Sequence, residues 1–175
     1  MLFFCPFLLI AQSSQDDFVV KDRVLVKYRG VDRNVIIPPK LGINRIGAKA
    51  FAGKPLTSVV IPMGVAAIDE QAFMGCSFLK TVTLPNTLAN LGRRAFFNCF
   101  LLEKINIPIS LLVIEDGAFF NCRGLKEIAL PDNVKSLGSR AFSGCLGLEK
   151  VSVSRRTRLG DSPFIGVPCE ITYRD

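Results

Sequence analysis

The sequence predicts a repeat solenoid, mainly short β-strands with tight or 3₁₀ corners, in about five 23-residue coils behind an N-terminal hairpin cap. Three observations predict it. Ala-Phe pairs recur at Ala50-Phe51, Ala72-Phe73, Ala95-Phe96, Ala118-Phe119 and Ala141-Phe142, in steps of 22, 23, 23 and 23 residues. Cysteines follow in the same frame at Cys76, Cys99, Cys122 and Cys145. Segments such as "VTLP" alternate apolar and polar residues before a proline, the period of a strand. One such unit cannot bury its apolar face alone, so stacked units share a continuous core.

Each element of the unit has a physical reason. Leu79, Leu102, Leu125 and Leu148 precede inward strand positions at Val82, Ile105, Ile128 and Val151, then at Leu84, Ile107, Leu130 and Val153. Pro62, Pro85, Pro108 and Pro131 close those strands, because proline has no N–H for a ladder bond. A second apolar pair follows at Val65 and Ile68, Leu88 and Leu91, Leu111 and Ile114, and Val134 and Leu137. Gly47, Gly92 and Gly138 come next and are expected to permit a tight turn. No stretch holds a helical period for ten residues, so the corner near the Ala-Phe pair is at most a short helical or 3₁₀ turn. Pro163-Phe164 reads as a worn further copy.

The unit, with its I-G-x-x-A-F-x-x-C and V-x-L-P elements, resembles the BspA-like, or treponemal-type, leucine-rich repeats, over residues 18 to 175. The resemblance implies a leucine-rich-repeat solenoid over 39–175 with a degenerate C-terminal coil. "DFVVKDRVLVKYRGVDRNVIIP" is similar to the family's N-terminal hairpin, placing a cap over 15–38, and "PFIGVPCEITY" to a closing segment with Val167 at the cysteine position. The family includes secreted and surface-attached proteins, some of them adhesins. Its repeat carries no catalytic residues, so none is carried over.

Composition narrows the chemistry. There is no histidine, which removes Ser-His-Asp and Cys-His catalysis and imidazole metal sites. Phosphate-binding glycine loops, nucleophile elbows, EF-hand loops, CxxC and N-x-[ST] are absent too. No enzyme, cofactor or metal site is therefore expected. Asp69-Glu70 and Glu115-Asp116 read as solvated charge. The ladder cysteines stack about 4.7–4.9 Å apart with parallel side chains, so they neither face one another for a disulfide nor converge on zinc. They are read as buried, free filler; Cys5 and Cys169 carry no assignment. The net charge of +7 favours acidic partners without naming one.

The apolar run "MLFFCPFLLIA" spans 11 residues, too short to cross a bilayer. Residues 1–14 are read as a signal peptide or a disordered stub, with no basic residue before the apolar run. The expected function is a non-enzymatic, secreted or cell-surface module of adhesion type, presenting a solenoid face to a protein or glycan partner. An intracellular, cytoplasmic protein-protein scaffold, or a fragment of a longer array, is the alternative.

Two surfaces are candidates for that partner. On the strand face, outward residues stack as Val60, Thr83, Asn106, Ala129 and Ser152, flanked by Lys80, Lys104 and Lys126. At the corner, Met74, Phe97 and Phe120 follow the ladder phenylalanines, with Ile109, Leu112 and Val113 as a further apolar set. The expected contact residues are Lys80, Thr83, Lys104, Asn106, Lys126, Phe97 and Phe120. Arg155, Arg156 and Arg158 read as a solvated basic cluster; no aromatic residues interleave regularly with the arginines, so specific nucleic-acid binding is not expected.

Overall fold

The structure, a computed structural model, describes residues 13–175. Cys5 and most of the expected leader lie outside them. The chain winds as a β-solenoid, and its spine is a stack of aromatic rings. Tyr28, Phe51, Phe73, Phe96, Phe119, Phe142 and Phe164 follow one another with centroids 4.9–5.8 Å apart. The five ladder phenylalanines are completely buried. Tyr28 opens the stack below Phe18, and its hydroxyl meets Ser13 Oγ at 2.9 Å.

Each coil contributes to two parallel sheets. The strand face carries the V-x-L elements: Asn34–Ile36, Ser58–Val60, Thr81–Thr83 and Lys104–Ile105 form one sheet, and Glu127–Ala129, Lys150–Ser154 and Ile171–Arg174 another. The second apolar pair forms a longer sheet of eight strands. It runs from the antiparallel hairpin Phe18–Lys21 and Val24–Tyr28 through two-residue strands at Arg45–Ile46, Ala67–Ile68, Asn90–Leu91, Val113–Ile114, Ser136–Leu137 and Arg158–Leu159. Two residues per coil leave no alternation to read, which is why this second sheet has no periodic signature.

The corner holds no 3₁₀ helix. Ala95, Phe97 and Cys99 donate their N–H groups to carbonyls three residues back, while Arg94, Phe96 and Asn98 donate to Asp116, Ala118 and Phe120 of the next coil. Alternate amides therefore tie coil to coil, where a helix would spend them all locally. Making that turn requires two left-handed residues per coil, such as Arg94 (φ 54°) and Asn98 (φ 59°), or Gln71 (φ 59°) and Gly75 (φ 73°).

Gly92 and Gly138 have a different cause from the turn freedom expected of them. Neither has positive φ; a Cβ on Gly92 would sit 2.7 Å from Asp69 C, and one on Gly138 2.4 Å from Asp116 N. Close approach of two backbones is what demands glycine there. Among the described residues no helix is long and apolar enough to cross a membrane.

Candidate functional site

The ladder cysteines are free, and all four are fully buried. They are more than filler. Each thiol donates to the carbonyl of the phenylalanine one coil back: Cys76 to Phe51 at 3.1 Å, Cys99 to Phe73 at 3.2 Å, Cys122 to Phe96 at 3.2 Å and Cys145 to Phe119 at 3.1 Å. Burial pushes Cys76 and Cys145 up to about 12 and holds Cys99 and Cys122 well above the ordinary thiol range. Protonated thiols of this kind are poor nucleophiles. Among the described residues no group of three or more Cys, Asp or Glu side chains gathers to hold a metal.

The acidic pairs remain exposed or half-exposed, in keeping with their reading as solvated charge, and they also make contacts between coils. Asp69 meets Arg45 at 2.8 Å and Glu70 meets Arg93 at 3.6 Å. Glu115 accepts from Arg93 N at 3.0 Å and from Asn90 Nδ2 at 3.3 Å, and Asp116 from Ser139 N at 2.6 Å. Each carboxylate thus bridges to an adjacent coil. In the basic cluster, Arg155 meets Asp175 at 3.0 Å and lies over the Tyr173 ring, while Arg156 is exposed.

The strand face has one break. Parallel pairing runs from Asn34–Ile36 to Lys104–Ile105 and resumes at Glu127–Ala129, with no strand pairing between. At this step the ring spacing Phe96–Phe119 widens to 5.5 Å, against 4.9–5.1 Å for its neighbours on the N-terminal side. Asn106 stands on the N-terminal side of this break. At other coils the end of the strand is held by backbone bonds, Ile61 N to Thr83 O and Leu130 N to Ser152 O. Across the step before the break, the Asn106 side-chain amide takes the place of that backbone carbonyl, accepting from Leu84 N and donating to Leu84 O, both at 2.8 Å. Asparagine is a poor strand former, and its side chain competes with the ladder for backbone groups.

Beside the break lies a shallow cleft of about 820 Å³ lined by residues that include Thr81, Thr83, Lys104, Asn106, Arg123 and Lys126. Ile105 in the cleft and Ile107 two residues on are only partly buried, whereas their equivalents Val82, Leu84, Ile128 and Leu130 are at most 3% exposed. The cleft brings together four of the expected contact residues: Thr83, Lys104, Asn106 and Lys126. Lys80 stands exposed just before it in the chain. Lys126 is paired with Glu149 at 3.3 Å, and Asn106 is committed to Leu84. Arg123, Glu127 and the half-open isoleucines escaped sequence reasoning. An asparagine among β-formers at the outward strand position, followed by Gly124, was the signal available.

Phe97 and Phe120 lie elsewhere, on the corner. Both are half-buried and stack on each other at 4.8 Å, with the Arg94 guanidinium over the Phe97 ring at 5.5 Å. They cover one another instead of standing free, so the corner presents less apolar surface than the expected stripe. Met74 is likewise half-buried, and of the further apolar set only Ile109, at 68%, is strongly exposed.

Comparison with curated proteins yields no match. Solved structures do match. A Treponema pallidum leucine-rich repeat protein superposes with a TM-score of 0.75 and 26% identity, covering 93% of this chain and 85% of that one. A leucine-rich cell surface protein of Faecalibacterium prausnitzii gives a TM-score of 0.70 at 26% identity, over 89% of this chain and 52% of that chain. A leucine-rich repeat protein of Bacteroides ovatus gives 0.59 at 29% identity, over 81% and 43%. The chain therefore spans about half the length or less of the latter two. A family model described as the BspA-type leucine-rich repeat region matches six copies across residues 44–169. With that span of matched repeats on this spine of stacked rings, the chain belongs to the BspA-type leucine-rich-repeat family, a protein-interaction fold.

Proposed function

We propose that this chain is a non-enzymatic, exported or surface-displayed binding module of adhesion type, whose strand face engages a protein or glycan partner. The observation that carries this reading is the break in the strand-face ladder, which groups Thr83, Lys104, Asn106 and Lys126 around one cleft. An extended repeat surface is what solenoids offer to macromolecules. The cell-surface description of the F. prausnitzii protein supports display outside the cell. The stacked Phe97–Phe120 pair is a secondary contact region, and its rings are already partly satisfied by each other.

The test is binding to a panel of purified extracellular-matrix proteins and surface glycans, measured at two salt concentrations. Thr83→Arg is expected to abolish capture while changing stability by no more than about 0.5 kcal/mol, because the side chain is exposed. Phe97→Ser with Phe120→Ser is expected to leave capture largely intact. Loss of binding in the phenylalanine variant alone would move the binding face to the corner, and loss only on charge reversal at Arg155, Arg156 and Arg158 would move it to the last coil.

A further inference from the structure

We infer that the cleft at the break is a main-chain recognition site, which takes an extended peptide segment carrying an acidic side chain. The site deepens the strand-face reading and rests on it. Its basis is two backbone donors whose equivalents at neighbouring coils are used. The N–H at the end of each strand, as in Ile61 and Leu130, donates forward to the next coil, and the N–H just before each strand, as in Lys80, Glu103 and Glu149, donates back to the previous coil. At the break the equivalent groups are Ile107 N–H and Lys126 N–H, and neither has a hydrogen-bond partner among the described residues. By the register of their equivalents, Ile107 N–H points toward Ala129 at one end of the opening and Lys126 N–H toward Glu103 at the other.

The ends of the cleft are closed. On one side Gly124 N donates to Phe100 O at 3.0 Å, and the glycine lies so close that a Cβ would fall 2.8 Å from Leu102 O. On the other, Asn133 Nδ2 donates to Ile109 O at 3.1 Å and Lys135 N to Leu112 O at 2.8 Å. The opening is therefore confined to the strand face. A segment of about five extended residues, at roughly 3.3 Å each, matches the run from the level of Lys126 to that of Ile107. Its carbonyls meet the two free donors, and an apolar side chain covers the half-exposed Ile105 and Ile107. Main-chain bonds supply affinity and the side chains selectivity, as in recognition at sheet edges generally.

Charge favours an acid in that segment. Lys126 and Glu127 are occupied with Glu149 and Lys150, at 3.3 and 3.1 Å. That leaves Lys104 and Arg123 without an ion pair on the rim, against Glu103 alone of opposite sign. Arg123 lies over the Phe100 ring at 5.2 Å, which positions its guanidinium beside the cleft.

Hydrogen exchange read amide by amide tests the site, using acetylated and amidated heptapeptides that alternate valine with threonine, with or without one glutamate. In the free chain, Ile107 and Lys126 amides are expected to exchange at least about tenfold faster than Ile61 and Leu130. The glutamate peptide is expected to protect both, and N-methylation of the peptide should matter less than replacement of its carbonyl acceptors by esters, which weakens binding about fivefold per group. Asn106→Thr, which supplies the residue found at Thr83, should re-form the ladder, protect both amides without peptide and abolish peptide binding. Slow exchange at Ile107 and Lys126 in the free wild-type chain overturns the inference, as does peptide binding that leaves them unprotected or that survives Asn106→Thr. No protection by any peptide at millimolar concentration also overturns it. If the macromolecule panel still binds in that case and Thr83→Arg abolishes it, the strand face stands as the binding face without this site.

Discussion

At the scale of single residues, the cysteines couple packing to protonation. Each thiol must stay neutral to sit beside the phenylalanine spine and donate to a carbonyl one coil back. Desolvation raises their titration, for Cys76 and Cys145 to about 12, while an unfolded thiol ionises near 8.5–9. Between those values the unfolded chain loses protons that the folded chain keeps, so stability is fully present below about pH 8.5 and falls as pH rises toward 12. A variant with Cys76, Cys99, Cys122 and Cys145 all changed to alanine is expected to start less stable, since it loses four packed sulfurs. Its melting temperature should then decline less steeply than that of wild type between pH 9 and pH 11, lysine and tyrosine titration being common to both. Parallel pH profiles would mean that the thiols ionise as freely in the fold as outside it.

At the scale of elements, the ring ladder is the strongest determinant of the coil. Phe96 and Phe119 are completely buried and each stacks on a ring above and below. Truncating either to alanine removes a large apolar side chain and leaves a cavity between stacked coils, at a cost of about 3–5 kcal/mol. Chemical denaturation should place both near that range and Phe164→Ala well below it, since Phe164 is only partly buried and stacks on one side. The ladder was legible in the sequence because one residue type recurs at one spacing. The V-x-L-P strands were legible for the same reason, through alternation. The eight-stranded second sheet was not, because two residues per coil hold no period. The glycine positions were legible but their cause was not: Gly92 and Gly138 look like turn residues, and only the approach of the neighbouring backbone separates that from crowding. The candidate site was half legible. Outward alternation placed Thr83 and Asn106 on one face. That Asn106 would turn its amide onto Leu84, and that the ladder would stop just beyond it, depends on contacts between coils that no spacing encodes.

At the scale of the whole molecule, the solenoid behaves as a row of neighbours, and its weakest joint lies just past the same asparagine. Each coil touches only the coils on either side, so stability is close to a sum of coil terms and interface terms. Most interfaces carry both sheets and the ring stack. The interface between Lys104–Ile105 and Glu127–Ala129 keeps the ring stack and the second sheet, through Val113↔Ser136 and Ile114↔Leu137, but has no strand-face pairing. Each backbone bond missing there forgoes about 0.5–1.5 kcal/mol, and the isoleucines on one side of the joint are left partly wet. The C-terminal block, with its strands at Glu127–Ala129, Lys150–Ser154 and Ile171–Arg174, is therefore expected to open as a unit before the N-terminal block does. Native-state hydrogen exchange in increasing urea should show Ile128 and Val151 amides merging into a shared opening at lower free energy than Val59 and Val82. Fraying from the chain end alone predicts a gradient from Ile171 inward, with Ile128 as stable as Val82. Asn106→Thr separates the two accounts: restoring the strand-face bonds should raise the Ile128 opening toward the global value while leaving Ile171 where it was. If Ile128 and Val82 open together in wild type, the break is energetically silent and the ring stack alone sets how far unfolding spreads.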